Sequence, residues 1–395
     1  MASPYLFLLI FMIVIAALMR DDFVLTSVYF FLGAIFLGLW WSRRSLSQVR
    51  KKREVLDHAF LGEKIKVRIH VHNQGWFPLP WLSVQDKLPV GLSTAPAFQR
   101  VISLAPHRKA DFEYTINARK RGYYPLGPLV LSTGDLLGVH KTVTIQEDVR
   151  YLTIYPKIVP LSSIEIPSFS PQGTLRHHRP IFEDPTRVFG KREYIAGDSL
   201  RRVDWKSSAS TGRLQVKLFE PSIALETLIC LNLNEDDYYY RRRIDSTELA
   251  IVIAASIANW IGEKRQTVGL MVNGRDPLKS DGEPPYLPPR KGKSHLMRIL
   301  EVMARIDTTR DSSLIEKIRR QRHFLAWGTT LIIITGGADD SLLSELYQAR
   351  RSGQNAILVL AGPVAHAGEI KNRASHYGIQ TVSIPSERGL DIWRK

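Results

Sequence analysis

Two long apolar runs dominate the first part of this chain. Residues 4–19 are almost wholly apolar, and a second apolar run covers residues 23–41, with only three residues between them. At about 1.5 Å per residue in a helix, the second run is long enough to cross the hydrocarbon core of a bilayer. The pattern predicts a transmembrane hairpin over residues 1–42. A cleavable signal peptide is the alternative, but its basic N-terminal region is missing and a second apolar run follows at once.

Basic residues follow the second apolar run directly, whereas the turn between the two runs contains a single arginine. The basic residues are Arg43, Arg44, Arg50, Lys51, Lys52 and Arg53. The positive-inside rule then places both termini and everything after residue 42 in the cytoplasm, with the hairpin in the inner or plasma membrane. We expect residues 43–54 to be a juxtamembrane linker that lies against anionic membrane lipid.

Alternation of apolar and polar residues begins after this basic segment. Ile65, Val67, Ile69 and Val71 alternate with charged residues and histidines, which is the period of a strand with one buried and one solvated face. Shorter segments of the same kind follow, separated by Pro, Gly and Asn. Residues 55–160 are therefore predicted to form an all-β domain, an immunoglobulin-like sandwich.

From residue 223 the pattern changes to apolar strands that alternate with amphipathic helices. Strands are predicted at 228–233, 268–272, 331–334, 356–360 and 381–384, and helices at 245–263, 294–305, 314–324, 342–351 and 369–377. Asp245-x-x-Glu248 predicts a capping box for the first helix. The alternation predicts a doubly wound, mostly parallel sheet over residues 223–395 with helices on both faces. The expected fold class is thus membrane-anchored α/β plus all-β, with residues 161–222 as the connector.

The connector contains the most unusual residues of the chain. Charges of both signs crowd there around two aromatic side chains: Arg192, Glu193, Tyr194, Gly197, Asp198, Arg201, Arg202, Asp204 and Trp205. We expect ion pairs, because an unpaired buried charge costs several kcal/mol, and stacking of arginines on the two rings. Asp198 is expected to cap a helical turn over residues 199–203, and the alternation at 214–219 predicts a half-buried strand.

These residues resemble the hallmark of the domain of unknown function 58 (DUF58) family, an R-E-Y, G-D, R-x-[IV]-D-W run. Here the run reads Arg192-Glu193-Tyr194, Gly197-Asp198 and Arg202-Val203-Asp204-Trp205, followed by Ser208-Ala209. Ser210 departs from the family, which often has arginine there. The resemblance implies a membrane hairpin, a β domain and a domain like von Willebrand factor type A. It also implies that the protein works with a MoxR-type AAA ATPase in chaperone-like assembly or maturation of other proteins, and that the hallmark braces the two domains or binds a partner.

Von Willebrand type A domains that bind Mg²⁺ use a D-x-S-x-S run after the first strand and a T-D-G run after the fourth. The matching positions here are Asn232, Asn234 and Asp236 in the first run and Thr335 in the second, so the standard metal site is lost. Acidic residues still follow both strands, at 235–237 and 339–340, and the two strands are predicted to be neighbours at the switch point of the sheet. Two interpretations of these residues stay open: a degenerate cation site, or acidic loops that are solvated or bind a partner. No cofactor is expected.

Enzymatic chemistry has weaker support. Gly197-Asp198-Ser199-Leu200 spells the nucleophile block of GDSL-type hydrolases, but no D-x-x-H follows to supply the base. Cys230, the single cysteine, lies in an apolar strand where a thiolate is disfavoured. Acid-base chemistry by Asp198 and Asp204 is the competing hypothesis.

The formal charge of +16 favours anionic neighbours, which are lipid head groups, nucleic acid or an acidic protein. Residues 119–124 and 238–243 mix basic and aromatic side chains, a combination that also suits single-stranded nucleic acid. The leading hypothesis is a non-enzymatic, membrane-anchored interaction protein. A nucleic-acid-binding membrane protein and a hydrolase are the alternatives.

Overall fold

The computed structural model describes residues 22–89, 91–92, 97–134, 141–146, 149–162, 183–195, 198–221, 226–310 and 312–393, together with residues 11, 13 and 14. The chain divides into two compact units, residues 1–157 and 158–395. The first unit holds an apolar helix and a β-rich part, and the second holds the connector and an α/β part.

Helix α1 (Asp22–Ser47) contains the second apolar run, and its 26 residues give a length of about 39 Å at 1.5 Å per residue. Only 11% of its apolar window is buried inside the protein, whereas the long apolar helix at residues 240–263 is 78% buried. Of these two helices, α1 is therefore the one whose apolar surface is left for a membrane. The predicted first membrane helix lies outside the described residues, except for residues 11, 13 and 14, which are helical.

Residues 43–54, predicted to be a linker, have regular structure instead. Helix α1 continues to Ser47, and strand β1 (Val49–Glu54) pairs antiparallel with strand β3 (Lys64–Asn73). The guanidinium group of Arg53 is buried, and it donates to Asp86 Oδ1 over 2.8 Å and to the carbonyl of Leu126 over 2.9 Å. The linker prediction was wrong because it rested on charge alone, and a carboxylate opposite an arginine allows that arginine to enter a core.

The β-rich part is present as predicted. Its other described strands are β2 (His58–Phe60), β4 (Leu79–Lys87), β5 (Ala97–Leu104), β6 (Lys109–Asn117), β7 (Gly122–Leu126), β8 (Leu129–Gly134), β9 (Lys141–Gln146) and β10 (Arg150–Tyr155). They form three sheets with the orders β1-β3-β6, β2-β10-β7 and β5-β4-β8-β9. The alternation along β3 turns its apolar side chains inward, where Ile69 and Val71 pack against leucines of β4 and β8. Two of the sheets therefore share one apolar core.

The second unit begins with a two-stranded sheet of β11 (Glu183–Glu193) and β12 (Gln215–Pro221), with the short helix α2 (Trp205–Thr211) between them. A larger sheet follows, made of β13 (Glu226–Leu231), β14 (Thr267–Val272), β15 (Leu287–Arg290), β16 (Thr330–Thr335), β17 (Asn355–Ala361) and β18 (Gln380–Ile384). Its order is β15-β14-β13-β16-β17-β18. All neighbours in it are parallel except β15, which runs antiparallel at the edge. Strand β15 was not predicted, because Pro288 and Pro289 argue against a strand, but an edge strand tolerates proline.

Helices cover both faces of this sheet. They are α3 (Arg243–Glu263), α4 (Lys293–Arg305), α5 (Leu314–Gln321), α6 (Asp340–Arg351) and α7 (Ala367–His376). Helix α3 packs on β13, β14, β16 and β17, while side chains of α5 and α6 share a core with Leu228, Cys230 and Ile333 on the opposite face. The mostly parallel, helix-covered sheet is confirmed. The capping box is not, because α3 begins at Arg243 and Asp245 already lies inside its first turn.

Candidate functional site

The hallmark residues lie on one small hairpin, residues 183–221, which is called the hallmark hairpin below. Strands β11 and β12 pair so that Arg192 lies opposite Val216 and Lys191 opposite Lys217. Val203 bridges to Val216, and both side chains are buried. The hairpin therefore has a small apolar centre with charged groups around it.

Arg192 and Asp198 form the tightest ion pair of the hairpin. The two guanidinium nitrogens of Arg192 donate to the two carboxylate oxygens of Asp198 over 2.6 and 2.7 Å, and the backbone N–H of Ile195 adds a bond of 3.0 Å. This fork-to-fork geometry is the strong form of an arginine–carboxylate contact. The hydrogen bond from Arg192 and that from Ile195 lower the pKa of Asp198 to about 2. Asp198 thus closes the hairpin turn. The sequence had suggested that Asp198 caps the 3₁₀ turn that follows (Leu200–Arg202), but Ser199 occupies that cap position.

Asp204 caps a helix and pairs with a lysine. It is the N-cap residue of α2, where its Oδ1 accepts from the backbone N–H of Ser207 over 3.2 Å. Lys191 Nζ lies 2.9 Å from its other carboxylate oxygen, and the contact with Lys191 lowers the pKa of Asp204. Asp204 is therefore engaged by β11 and by α2 at once. Lys191 was missed as a partner because only the strand register brings it there.

The remaining hallmark residues lie at the surface of the hairpin. Glu193 pairs with Arg213 over 2.9 Å, and the backbone N–H of Tyr194 donates to the carbonyl of Leu214. Arg201 and Arg202 are exposed on the 3₁₀ turn, and Gly197 lies outside the described residues. Trp205 was expected to carry a stacked arginine, but its side chain is 65% exposed.

Large apolar side chains stay exposed around these ion pairs. They are Val188, Ile195, Leu200, Trp205 and Leu214. Single exposed apolar residues are ordinary, but several on one hairpin of this size are typical of protein interaction sites. We call the four that lie between β11 and β12, from Ile195 to Leu214, the exposed apolar patch. The ion pairs hold the backbone that carries the patch.

A second polar cluster lies where β13 and β16 end, at the predicted switch point. We call it the strand-end network, made of Asn232, Asp237, Asn273 and Thr335. Asn232 Nδ2 donates to Asp237 over 2.6 Å and to Thr335 Oγ1 over 3.0 Å, and Asn232 Oδ1 accepts from Asn273 Nδ2 over 2.7 Å. Asn273 also accepts from the backbone N–H of Leu233 over 2.6 Å and donates to the carbonyl of Ser312 over 2.9 Å. The amides thus join three neighbouring strand ends with their hydrogen-bonding groups satisfied by protein.

A cavity of about 300 Å³ opens beside this network. Its lining includes Asn232, Asn234, Asp237, Arg310 and Asp339. Partial desolvation raises the pKa of Asp237, although the residue keeps exposed surface, and the negative charges of Asp339 and Asp236 add to that shift, while the hydrogen bond from Asn232 opposes it. The structure thereby brings Asp237 and Asp339 to one cavity, as the sequence predicted for the two acidic loops.

The metal-ligand candidates from the sequence do not all lie at this cavity. Asn232 and Asn234 line the cavity and Thr335 bonds to Asn232, but Asp236 is exposed and is not among the lining residues. Glu235 pairs with Arg310 and Arg243, and Asp340 pairs with Arg373. Within the described residues, no group of three or more His, Cys, Asp or Glu side chains is placed to hold a metal ion. Asn232 uses its amide for hydrogen bonds to neighbouring side chains.

Asn273 and Arg310 were missed by the sequence analysis. Asn273 follows β14, and a parallel sheet brings the carboxyl ends of adjacent strands to one edge. The position of Asn273 directly after a third parallel strand is therefore the sequence signal that indicates it. Arg310 lies in an irregular loop and has no such signal.

The residues considered for other chemistry are engaged elsewhere. Cys230 is fully buried, and burial raises the pKa of its thiol. In the two basic and aromatic segments, Tyr123 stacks on Tyr151 at 4.7 Å and the guanidinium group of Arg243 lies 5.2 Å from the ring centre of Tyr240. These rings already have partners within the protein.

Comparison with known proteins gives a family match over the second unit. Residues 190–336 match the sequence model of the family described as "Protein of unknown function DUF58". The chain is 24% identical over 267 residues to "Uncharacterized protein YeaD" of Bacillus subtilis (strain 168), and the match covers 66% of this chain and 62% of that protein.

Solved structures resemble only a part of the chain. The CARDB domain of the PF1109 protein from Pyrococcus furiosus matches 27% of this chain and 91% of its own, with 13% identity and a TM-score of 0.21. The sulfur carrier protein SoxY from Chlorobium limicola matches 26% of this chain and 77% of its own, with 10% identity and a TM-score of 0.18.

Proposed function

Because residues 190–336 make this chain a member of the DUF58 family, we propose that it is a membrane-anchored, non-enzymatic interaction protein that presents the hallmark hairpin to a protein partner. The family description assigns no activity, so the proposal rests on the geometry of the chain and on the family resemblance of its motifs.

The exposed apolar patch on the hallmark hairpin carries the proposal. Ile195, Leu200, Trp205 and Leu214 remain exposed although the hairpin is fixed by the Arg192–Asp198 pair. A fixed backbone lowers the ordering cost of binding, and an exposed tryptophan is the residue type that most often anchors a protein interface. Arg201 and Arg202 flank the patch and would add charge selectivity for an acidic partner.

The carboxylates of the hairpin support binding more than catalysis. Asp198 is held by Arg192 and by a backbone N–H, and Asp204 caps α2 while it contacts Lys191. Both have pKa values below the ordinary range of aspartate, whereas a general acid or base works best when its pKa lies near the working pH. A brace between the two domains stays a further role of this segment.

The length of α1 and its exposed apolar surface support anchoring by this helix. The basic residues after the helix support a cytoplasmic location of the two folded units by the positive-inside rule. With the first apolar run as a second span, the protein is multi-pass and both termini are cytoplasmic.

The partner that we propose is a MoxR-type AAA ATPase, and the process is chaperone-like assembly or maturation of other proteins. This choice comes from the family resemblance of the hallmark run. The chain covers 62% of the length of its curated relative, which is itself uncharacterised, so that relative adds no partner.

We also assign the α/β part to the von Willebrand type A-like fold. Its supporting feature is that β13 and β16 are neighbours and that Asn232 directly follows β13 while Thr335 ends β16, the positions where that fold places its metal ligands. In this chain the same edge carries the strand-end network, so we expect that any contact made there is independent of a metal ion.

The test uses the full-length chain in native membranes, crosslinked and read by mass spectrometry, with Trp205→Ala as the variant. The matched control is Trp327→Ala, because Trp327 is 61% exposed against 65% for Trp205. We expect crosslinks from residues 183–221 to the ATPase that Trp205→Ala removes and Trp327→Ala keeps. Equal crosslinking in all three proteins, or crosslinks that avoid the hairpin, would contradict the proposal.

A further inference from the structure

The C-terminal end of α1 contacts one loop of the β-rich part. This loop, residues 74–78, connects β3 to β4. Trp41 Nε1 donates to the carbonyl of Pro78 over 3.1 Å, and the ring of Phe77 meets those of Trp40 and Trp41 edge-on at 5.5 and 4.7 Å. The backbone N–H of Gln74 donates to the carbonyl of Gln48 over 3.1 Å. The loop is therefore fixed at the level of the last two turns of the helix.

Gly75 lies close to the end of α1. A Cβ atom at Gly75 would overlap the end of the Gln48 side chain, which would have to move. Below the loop, Ser42 bonds to Thr142 at 2.9 Å and Leu46 is buried in the β core. The helix and the β-rich part are thus joined by several side-chain and backbone contacts.

Trp76, in the same loop, remains exposed to solvent. Its side chain is 80% exposed, and its ring is supported edge-on by His107 at 5.0 Å. Tryptophan is enriched where the hydrocarbon core of a membrane meets water, because its ring is apolar and its N–H is polar. The neighbouring Phe77 packs on Trp40 and Trp41, the residues at which the apolar run ends.

The segments nearest the end of α1 carry only positive charge, and the nearest acidic residue along β6 is the exposed Asp111, two residues after Lys109. The segments 43–50, 74–78 and 105–109 contain no Asp or Glu, and their basic residues are Arg43, Arg44, Arg50, Arg108 and Lys109, all exposed. The strand register explains the convergence, since Lys109 pairs with His72 and Val49 pairs with Asn73. Anionic lipid head groups are the surface that such a basic, tryptophan-bearing face complements.

We propose that this face, Trp76 with Arg43, Arg44, Arg50, Arg108 and Lys109, binds the anionic surface of the bilayer and holds the β-rich part against it. The inference rests on the proposed anchoring by α1. It adds a second, peripheral membrane contact that fixes the orientation of the β-rich part relative to the membrane.

The experiment places a fluorophore on a single introduced cysteine in the full-length protein, reconstituted into vesicles with brominated acyl chains. Trp76→Cys is the test variant, and Leu56→Cys is the control. Leu56 is 64% exposed but follows the far end of β1, which carries the chain about 17 Å away from α1. The unaltered protein, whose Cys230 is fully buried, gives the labelling background.

We expect quenching by brominated lipid at position 76 and none at position 56, and stronger quenching at 76 in phosphatidylglycerol-containing vesicles than in pure phosphatidylcholine. Unquenched label at 76 in vesicles that carry the protein through alkaline flotation would overturn the lipid-binding face and leave the anchoring intact. Equal quenching at 76 in both lipids would overturn the role of anionic head groups. Loss of the protein from floated vesicles would instead refute the anchoring by α1.

Discussion

The hallmark hairpin and the strand-end network are both polar clusters of the second unit, yet they are built in opposite ways. The hairpin uses full charges near solvent, such as Arg192 with Asp198, on a two-stranded sheet. The network is centred on two neutral amides, Asn232 and Asn273, with Asn232 bonded to Asp237 and Thr335, and Asn273 has no exposed surface. Exposed ion pairs contribute little to stability, whereas a buried polar group that loses its partner costs about 1–3 kcal/mol.

The contrast teaches that the most conspicuous residues of the sequence are not those that hold the fold. A two-stranded hairpin is marginally stable by itself, so its ion pairs define a local shape and leave Trp205 available to a partner. The amides at the strand ends keep three strands of the sheet in register where the cavity opens.

The largest effect is expected for Asn273→Ala. The substitution removes the partners of the Leu233 N–H, the Asn232 side chain and the Ser312 carbonyl, and it should lower the free energy of unfolding by about 2–3 kcal/mol. Chemical unfolding of the full chain in detergent measures this. The exposed Asn372→Ala is the control and should change stability by less than about 0.5 kcal/mol. Equal changes in the free energy of unfolding for Asn273→Ala and Asn372→Ala would show that the strand-end network does not stabilise the fold.

A smaller effect is expected at Asp204, where two substitutions separate two roles. Asp204→Ala deletes the cap of α2 and the contact with Lys191, whereas Asp204→Asn keeps an oxygen that can cap and loses only the charge. Thermal unfolding should show a lower Tm for Asp204→Ala than for Asp204→Asn, and both should lie above Asn273→Ala. If Asp204→Asn keeps the wild-type Tm but abolishes a cellular phenotype, the carboxylate acts in chemistry and the enzyme hypothesis returns.

A still smaller effect is expected from acid. The pKa of Asp198 is about 2 in the folded chain and about 3.9 in an unfolded one, so the pair with Arg192 stabilises the fold above about pH 4. That contribution disappears as the pH falls toward 2. The difference in Tm between the wild type and Asp198→Asn should therefore shrink from pH 5 to the lowest accessible pH, and a difference that stays constant would show that the charge has no part in it.

The smallest expected effect is that of divalent cations. Asn232 already donates hydrogen bonds to the side-chain oxygens of Asp237 and Thr335. Mg²⁺, Mn²⁺ and Ca²⁺ should therefore leave the Tm unchanged and give no heat of binding in titration calorimetry. A saturable heat that Asn232→Leu abolishes would establish the degenerate cation site.

Much of the fold could be predicted from periodicity. The apolar runs in β13, β16 and β17 and the alternation in β3 are visible in the sequence because burial repeats with the period of the element. The boundary at Arg53 could not be predicted, since its burial depends on Asp86, which is distant in sequence. Proline likewise concealed β15.

The candidate site could be predicted less completely. The crowded charges indicated ion pairing, but the partner of Asp204 is Lys191, which the strand register brings to it. Exposure of Trp205 had no signal in the sequence, because exposure depends on what packs nearby. Asn273 is one residue among many asparagines until the sheet order places it beside Asn232.

Hydrogen–deuterium exchange of the full chain in detergent, read by mass spectrometry, compares the two clusters in one measurement. We predict that amides of β12 in the hairpin exchange much sooner than those of β13 in the sheet, because only the latter open by unfolding of the core. Protection of β12 equal to that of β13 would show that the hallmark hairpin is part of the stable core, and it would contradict its assignment as an exposed recognition element.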